Sequence, residues 1–323
     1  MVKIPTVFMT IAETAAWLKS RDSFLILTHR RPDGDTIGCA GALAQGLREI
    51  GKTAYILNNP ETTPRYAKFI DDYMIADEFC PENIITIDTA SYDLFPKNGD
   101  IYKDKITLSI DHHPSNTNYA QSSCIDGTRA SCGEIIYDLL ISMTGKISAK
   151  SAECLYTALS TDTGCFAFAN TTANTLRVAA LLVEAGAPHR ELNRLLFRTR
   201  TKGRIKIEGM IYSGLEFHFS GAVAISTITR SMMESANADE DDVDDIASIP
   251  GSIEGVSTGI TLRELTTASS CKVSVRTGPT VDAHSICERF GGGGHPMAAG
   301  FTYAGTIAEV KKELLESLKD IFP

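Results

Sequence analysis

Carboxylates and imidazoles recur in short motifs along the first half of the sequence, and both side chains bind hard divalent cations. Taken singly, each motif has an ordinary structural explanation: Pro32-Asp33-Gly34 is a turn sequence, and Asp88 could cap the end of a strand. Their combination indicates one site that holds metal ions. The residues concerned are His29, Asp33, Asp35, Asp88, Asp111, His112, His113 and Asp162.

Short apolar runs predict the strands that position these side chains. Three of the motifs stand immediately after such a run, and Asp162 ends a helix predicted from about residue 149. The nearly continuous apolar character of the runs is typical of a parallel sheet covered on both faces, and helical periodicity over residues 37–50 supplies a covering helix. Alternation of strand and helix predicts a doubly wound α/β domain. The predicted strands are 24–28, 54–57, 84–87 and 106–110.

The carboxyl ends of parallel strands share one edge of the sheet, where open α/β folds bind their ligands. Several anions can gather there only when cations compensate them, because an uncompensated buried charge costs several kcal/mol. Carboxylates with a few imidazoles suit Mn²⁺, Mg²⁺ or Co²⁺. The side chains are too many for one open catalytic ion, whereas two ions about 3.5–4 Å apart stabilise an in-line displacement at phosphorus.

Composition and charge exclude several classes of protein. The 323 residues leave room for two domains, and no apolar run approaches the ~18 residues of a membrane-spanning helix. The net charge of −9, from 31 Lys and Arg against 40 Asp and Glu, argues against binding of long duplex nucleic acid. The N-terminal residues lack the apolar run of a signal peptide, so we expect a cytoplasmic protein. The eight cysteines include no Cys-x-x-Cys pair and are expected to be free thiols.

The second half of the sequence predicts a smaller α/β domain. A helical stretch from about residue 172 to 210 is interrupted at Gly186-Ala187-Pro188, where we place the joint between the domains. We therefore predict domains at 1–187 and 217–323, separated by a helical linker at 188–216. The predicted elements of the second domain are strands at 222–229, 255–265 and 271–277 and helices at 281–290 and 307–321.

A glycine-rich segment, Gly291 to Gly294 followed by His295, comes directly after a predicted helix. Consecutive glycines allow positive φ angles and a close approach of backbone N–H groups to an anion. We interpret the segment as a phosphate- or nucleotide-binding loop, and Arg276 on the preceding strand could add a bidentate phosphate contact. Three other histidines belong to no cluster and are predicted to be structural or exposed; they are His189, His218 and His284.

Five motifs in this order resemble those of the DHH/DHHA1 phosphoesterases, and most closely the nanoRNase branch of oligoribonucleases that also act as pAp phosphatases. The resemblance extends from about residue 24 to 301 and implies an N-terminal DHH domain with a parallel sheet and a smaller C-terminal DHHA1 domain. The motifs are HRRPDGDTIG from His29, IDTA from Ile87, DHH from Asp111, STDTG from Ser160 and FGGGGHPMAAG from Phe290.

The resemblance implies two Mn²⁺ ions at the carboxyl edge of the sheet, with Mg²⁺ or Co²⁺ as alternatives. One departure is Cys39, where the family more often has serine; both side chains are small, and we expect a packing change with little effect on metal binding. Carried onto this sequence, the implied ligands are His29 and Asp33 for one ion, Asp35, His112 and Asp162 for the other, and Asp88 as the bridge.

The resemblance also implies catalytic and substrate-binding residues. His113 would contact the scissile phosphate and help to protonate the leaving oxygen, and Asp111 would orient its neighbours. The second domain would hold the far end of a short substrate across a cleft between the domains. The implied substrate-binding residues are Arg276, Gly293, Gly294 and His295.

The implied activity is that of an Mn²⁺-dependent phosphodiesterase that cuts short oligoribonucleotides or dinucleotides to 5′-mononucleotides, with pAp as a further substrate. A cyclic di-AMP phosphodiesterase is the first alternative. An inorganic pyrophosphatase or polyphosphatase would share the first-domain motifs but carry a basic Ser-Arg-Lys-Lys-type motif where this chain has GGGGH. A nucleotide-sensing module would have lost metal ligands, and a RecJ-like exonuclease would be larger. Dimers are common in the family, and the sequence leaves the oligomeric state open.

Overall fold

The computed structural model describes residues 6–75, 79–243, 246–265 and 269–322. The chain divides into two compact units, Met1–Thr199 and Arg200–Pro323. Each unit has its own six-stranded sheet and its own buried apolar core, which confirms the predicted α/β class. Within the described ranges, no helix is long and apolar enough to cross a membrane.

The first unit is built on six parallel strands. They are β1 (Val7–Phe8), β2 (Phe24–Leu27), β3 (Ala54–Ile56), β4 (Asn83–Ile87), β5 (Leu108–Asp111) and β6 (Ser122–Ile125). Their order across the sheet is β1-β6-β5-β4-β2-β3. The four predicted strands are confirmed as β2 to β5. The sequence analysis missed β1, which has only two residues, and β6, whose Ser-Ser-Cys-Ile sequence contains no continuous apolar run.

The strand order reverses direction at β2. The chain runs from β2 outward to β3 and then returns to place β4 on the opposite side of β2. In open α/β sheets the crevice at such a reversal, outside the carboxyl ends of the strands, is where ligands bind. His29 and Asp33 follow β2 and Asp88 follows β4, so the topology itself brings these residues to the reversal point.

Both faces of the first sheet are buried, as the apolar runs predicted. Alternate residues of β2 enter different cores: Phe24 and Ile26 pack with the long helices, whereas Leu25 and Leu27 pack beneath short 3₁₀ turns at Tyr92–Leu94 and Lys97–Lys105. The helices of this unit are α1 (Ile11–Lys19), α2 (Gly34–Glu49), α3 (Pro64–Ala67), α4 (Cys132–Thr144), α5 (Ala149–Asp162), α6 (Ala173–Glu184) and α7 (His189–Asn193), followed by a π-helical turn at Arg194–Arg198.

The second unit contains a mixed sheet. Its elements are α8 (Lys202–Ser213), β7 (Glu216–His218), β8 (Val223–Ile228), α9 (Arg230–Ala236), β9 (Thr258–Glu264), β10 (Ser270–Thr277), α10 (Ala283–Glu288), β11 (Gly293–His295), β12 (Ala298–Ala304) and α11 (Ile307–Ser317). The order across the sheet is β11-β12-β10-β9-β8-β7. The pair β8–β9 is parallel and every other neighbouring pair is antiparallel. The three predicted strands are confirmed as β8 to β10, and the two predicted helices are confirmed as α10 and α11.

The segment 188–216, assigned to a linker by the sequence analysis, packs into both units. Leu192 and Leu196 are buried in the core of the first unit. Ile207 and Ile211 of α8 are buried in a cluster with residues of the second unit. The change from one compact unit to the other falls between Thr199 and Arg200, inside this segment.

Glycines allow α2 and α5 to approach each other closely. A Cβ atom added at Gly34 would lie 2.4 Å from a side-chain carbon of Thr161, and one at Gly38 would lie 2.3 Å from the backbone oxygen of Cys154. The close approach sets Asp35, in the first turn of α2, beside Asp162, the last residue of α5. Packing of two helices therefore positions two of the predicted ligands.

Substitution of Gly38 by alanine should destabilise the protein by about 1–3 kcal/mol, because the new methyl group collides with backbone that cannot rotate away. Gly209, in α8, is the matched control. It has no atom within 4 Å of an added Cβ, so Gly209→Ala should raise the free energy of unfolding by up to about 1 kcal/mol. Urea denaturation of both variants measures the two values, and equal shifts would contradict the close-packing argument.

Candidate metal centre

The six predicted metal ligands converge into two groups of three. The potential ligand atoms of His29, Asp33 and Asp88 lie within 4.8 Å of one another. A second group with the same spread consists of Asp35, His112 and Asp162. A third group with the same spread, Asp88, His112 and His113, shares Asp88 with the first group and His112 with the second. The residues of the first two groups are those predicted from the sequence as ligands of two ions, and they come from elements that are far apart in the chain.

His112 lies at the centre of the second group. Its Nε2 atom is 3.7 Å from Oδ2 of Asp35, 3.5 Å from Oδ1 of Asp88 and 3.6 Å from Oδ2 of Asp162. These separations are longer than hydrogen bonds. Ligand atoms held at about 2.1 Å from one cation stand about 3–3.4 Å apart. The observed separations are slightly longer, so a small movement of these side chains would place the donors around one ion.

Asp88 links the two groups. It is 3% exposed, and its Oδ1 accepts no hydrogen bond from any residue in the described ranges. Oδ1 lies near the imidazoles of both His112, at 3.5 Å, and His113, at 3.4 Å. Its backbone φ of 52° is a left-handed conformation, which is uncommon for residues other than glycine although aspartate adopts it more readily than most. A buried carboxylate oxygen without a hydrogen-bond donor is costly, and a divalent cation would satisfy it.

The carboxylate of Asp35 is fixed at the N-terminus of α4. Oδ2 accepts a hydrogen bond from the backbone N–H of Cys132 at 2.8 Å, and Oδ1 accepts from Ser131 Oγ at 2.9 Å and from the N–H of Gly133 at 3.1 Å. Helix N-termini stabilise anions in this way. Burial, with repulsion from Asp88 and Asp162, nevertheless raises the pKa of Asp35 well above its usual range. A cation between the carboxylates would remove this repulsion.

Both ligand imidazoles are oriented by backbone carbonyls. Nδ1 of His29 lies 2.7 Å from the carbonyl oxygen of Arg30, and Nδ1 of His112 lies 3.2 Å from that of Arg129. Because a carbonyl only accepts hydrogen bonds, Nδ1 is the protonated nitrogen in each neutral ring. Nε2 then carries the free lone pair and faces the carboxylates, as in histidines that bind metals.

Asp162 supplies the most accessible carboxylate of the second group. It is the last residue of α5, and burial raises its pKa to about 6, an effect that the nearby His112 opposes. Repulsion from Asp88 and Asp33 acts in the same direction as burial. The donor set of carboxylates and imidazoles, in which burial and mutual repulsion raise the pKa values of Asp35 and Asp162, fits hard divalent cations.

The imidazole of His113 begins a short chain of hydrogen bonds through Asp111 to Asn116. Its Nδ1 donates to Oδ1 of the buried Asp111 at 2.8 Å, and Oδ2 of Asp111 accepts from Asn116 Nδ2 at 2.6 Å. The hydrogen bond to Asp111, with the neighbouring Asp88, raises the pKa of His113 to about 11. These neighbours therefore favour the cationic form of His113, whose side chain is partly exposed.

Several residues that support this geometry were missed by the sequence analysis. Asn116 reads as a turn residue in the sequence, yet it holds Asp111 and also donates to the backbone oxygen of Thr89. Asn59 donates to the carbonyl oxygen of His29 at 2.9 Å. Cys39, which we had assigned only a packing role, places its Sγ 3.2 Å from Oδ1 of Asp35. Their sequence positions carry no signal of these contacts, which arise from tertiary packing.

Arg129 is another such residue. Its guanidinium pairs with Asp126 at 2.9 Å, with Asp138 at 2.8 Å and with the buried Glu134 at 3.5 Å. These contacts fix Arg129, whose backbone carbonyl oxygen orients His112.

All eight cysteines of the chain are free, as predicted.

In the second unit, part of the glycine-rich segment forms the edge strand of the sheet. Gly293, Gly294 and His295 form β11, which pairs with β12. His295 stands opposite Ala298, and Ala298 stands opposite Arg276 on β10. Residues in one cross-strand row share a face of the sheet, so His295 and Arg276 project to the same side. His284, predicted to be structural or exposed, lies with Nδ1 3.0 Å from the carbonyl oxygen of Gly294.

Comparison with known proteins finds a matching domain family for each of the two units. Residues 23–159 match the DHH family, N-terminal domain, and residues 220–322 match the DHHA1 domain. The bifunctional oligoribonuclease and PAP phosphatase NrnA of Thermus thermophilus is 32% identical over 305 residues, which cover 91% of this chain and 89% of that protein.

Two solved structures share the fold. An exopolyphosphatase-related protein from Bacteroides fragilis superposes with a TM-score of 0.85 at 24% identity, over 97% of each chain. RecJ from Thermus thermophilus in complex with Mn²⁺ has a TM-score of 0.51 at 14% identity, over 97% of this chain and 55% of that one.

Proposed function

The chain belongs to the DHH family of metal-dependent phosphoesterases, with a DHHA1 domain in its C-terminal half, and from this premise we propose that it hydrolyses short oligoribonucleotides and dinucleotides to 5′-mononucleotides. We include pAp as a further substrate. The observation that carries the proposal is the pair of ligand groups joined by Asp88, a site suited to phosphoester hydrolysis. The similarity to an oligoribonuclease and PAP phosphatase over most of both chains supports the choice of substrate.

We assign the two ligand groups to two Mn²⁺ ions, with Mg²⁺ or Co²⁺ as alternatives. Asp88 would be shared between the sites. When bound, such ions neutralise the carboxylates and supply Lewis-acid stabilisation of the charge that develops at phosphorus. The protein's own contribution is to hold the ligands in place through the N-terminus of α4 and the carbonyl oxygens of Arg30 and Arg129.

We assign proton transfer to His113. Its imidazolium is held by Asp111, which Asn116 holds in turn, and part of the ring is open to solvent and to substrate. Protonation of the leaving oxygen by a positioned side chain contributes about 10²–10⁴-fold to such reactions. Asp111 and Asn116 are positioning residues in this scheme.

We assign substrate binding in the second unit to Gly293, Gly294, His295 and Arg276. His295→Ala should raise KM for a dinucleotide by about five- to tenfold, because one contact to a charged phosphate is lost. The effect on a small phosphodiester that lacks a second nucleotide should be smaller. His218→Ala, on β7 at the opposite edge of the same sheet, is the matched control and should leave both KM values unchanged. Equal increases for both substrates in His295→Ala would contradict the assignment.

The proposed activity is tested by mass spectrometry of products over time with Mn²⁺ and with a chelator. The substrates are RNA dinucleotides, RNA 5-mers, pAp, cyclic di-AMP and pyrophosphate. We expect mononucleotides from the dinucleotides and AMP from pAp, both lost with the chelator. Faster hydrolysis of cyclic di-AMP would favour the cyclic dinucleotide phosphodiesterase, and faster hydrolysis of pyrophosphate would favour a pyrophosphatase. The cytoplasmic location stays a prediction from the sequence.

A further inference from the structure

The turn that follows Asp162 has an unusual backbone. Three consecutive residues adopt left-handed conformations: Gly164 with φ 55°, Cys165 with φ 58° and Phe166 with φ 67°. Such angles are unfavourable for cysteine and more so for the bulky phenylalanine. Strain of this kind persists only when the surrounding structure imposes it, and it concentrates at sites of binding and catalysis.

Hydrogen bonds tie this turn to the candidate metal centre. Asn170 Nδ2 donates to the carbonyl oxygen of Asp162 at 3.1 Å and to that of Ala130 at 3.0 Å. The backbone N–H groups of Ala167 and Phe168 both donate to the carbonyl oxygen of Thr163, at 2.9 and 3.0 Å. The position of Phe168 is therefore fixed relative to Asp162.

The two phenylalanines of the turn have different environments. Phe166 packs on the core, with its ring centroid 5.8 Å from that of Tyr156. Phe168 is 61% exposed. Its ring lies over Gly164, where an added Cβ would come within 2.5 Å of ring carbons, so that only a glycine allows this placement. The strained turn thus holds one aromatic ring against backbone and presents the rest of it to solvent.

We propose that Phe168 is a stacking platform for a nucleobase of the substrate. The proposal rests on the proposed function: a nucleotide whose phosphate reaches the ligand groups carries its base one ribose away, and Phe168 follows Asp162 closely in a rigid turn. Aromatic side chains stack on any base, because every base has a π face. The platform would select nucleobase-bearing phosphoesters over inorganic polyphosphates without selecting a base sequence.

Kinetics with and without a nucleobase test this role. Phe168→Ala should raise KM for an RNA dinucleotide by about fivefold to 150-fold, the range for loss of one base–aromatic stack. KM for a dinucleotide with abasic ribose at both positions should stay unchanged, and kcat and Mn²⁺ affinity should be retained. Phe168→Tyr should restore the dinucleotide KM. Phe217→Ala, which removes a phenylalanine of similar exposure on β7, is the control and should behave as the wild type.

A binding measurement keeps the test independent of turnover. In a Trp17→Phe background, which removes the single native tryptophan, Phe168→Trp places a fluorophore at the platform. Its emission should be quenched by 5′-AMP and left unchanged by inorganic phosphate. Absence of quenching, or an equal rise of KM for the abasic and normal dinucleotides, would overturn the platform. If the wild type cleaves no dinucleotide but quenching by AMP persists, the proposed function fails and the platform stands.

Discussion

Replacing Asp88 by asparagine should lower turnover by more than about a thousandfold. The change keeps the shape of the side chain but removes the charge of a carboxylate that belongs to the first ligand group and lies 3.5 Å from His112 of the second. Stabilisation of several kcal/mol at phosphorus depends on ions held there, and each 1.4 kcal/mol corresponds to a factor of ten in rate. Turnover of an RNA dinucleotide at saturating Mn²⁺ measures the effect.

The same variant should keep or increase the thermal stability of the metal-free protein. Asp88 Oδ1 is buried with no hydrogen-bond donor among the described residues, and Asp88 contributes to the raised pKa of Asp35. Removal of this charge should leave the melting temperature in chelator equal to that of the wild type or higher. Added Mn²⁺ should raise the melting temperature of the wild type, since a ligand that binds the folded state stabilises it, and should raise that of the variant much less.

Asp71→Asn is the matched control, because Asp71 is exposed and lies outside both ligand groups. It should retain turnover and the full thermal shift with Mn²⁺. An Asp88→Asn variant with wild-type turnover and a normal Mn²⁺ shift would show that Asp88 does not bridge two ions. Thermal scans with Mn²⁺ and with chelator measure the shift of the melting temperature, and kinetic assays of the same preparation measure turnover.

His113→Asn is expected to lower kcat on an RNA dinucleotide by about 10²–10⁴-fold with little change in Mn²⁺ affinity. The amide Nδ2 of asparagine can take over the hydrogen bond that imidazole Nδ1 donates to Asp111, so the loop should keep its shape. The variant loses the proton that the imidazolium would give to the leaving oxygen. Rate measurements at several pH values, together with titration of Mn²⁺, separate these effects.

The leaving group provides the decisive comparison for His113. In a p-nitrophenyl ester of a nucleoside 5′-monophosphate, the leaving group is p-nitrophenolate, which departs without a proton. Hydrolysis of this ester should therefore fall far less in His113→Asn than hydrolysis of a dinucleotide. Equal losses on both substrates would contradict proton transfer by His113. Loss of Mn²⁺ binding would instead make His113 a ligand, an arrangement that its proximity to Asp88 and His112 also allows.

The three consecutive residues of the DHH motif, Asp111, His112 and His113, show what a local sequence pattern can and cannot predict. In the sequence they are equivalent candidates for one site. At the end of a strand, successive side chains point to opposite sides, so residues 111 and 113 share a side that residue 112 does not. The structure agrees: Asp111 bonds to His113, whereas His112 faces the carboxylates of Asp35 and Asp162.

The second unit shows a similar limit. The glycine-rich segment was interpreted as a phosphate- or nucleotide-binding loop because consecutive glycines allow positive φ angles and a close approach of backbone N–H groups to an anion. It forms β11 because β12 offers backbone partners, and this pairing places His295 in one row with Arg276. Pairing of strands depends on partners elsewhere in the chain, which glycine content does not indicate.

By itself, the sequence determined the types of the candidate ligands and the strands they follow, because the apolar pattern of a strand is a local property. The alternation of these strands with helices then implied a parallel sheet with one shared edge for those side chains. Only the tertiary structure decided how those ligands are held: Asp35 by the N-terminus of α4, His112 by the carbonyl oxygen of Arg129 and Asp111 by Asn116. Such contacts depend on helix packing and loop closure over distant parts of the chain. No spacing of residue types encodes them.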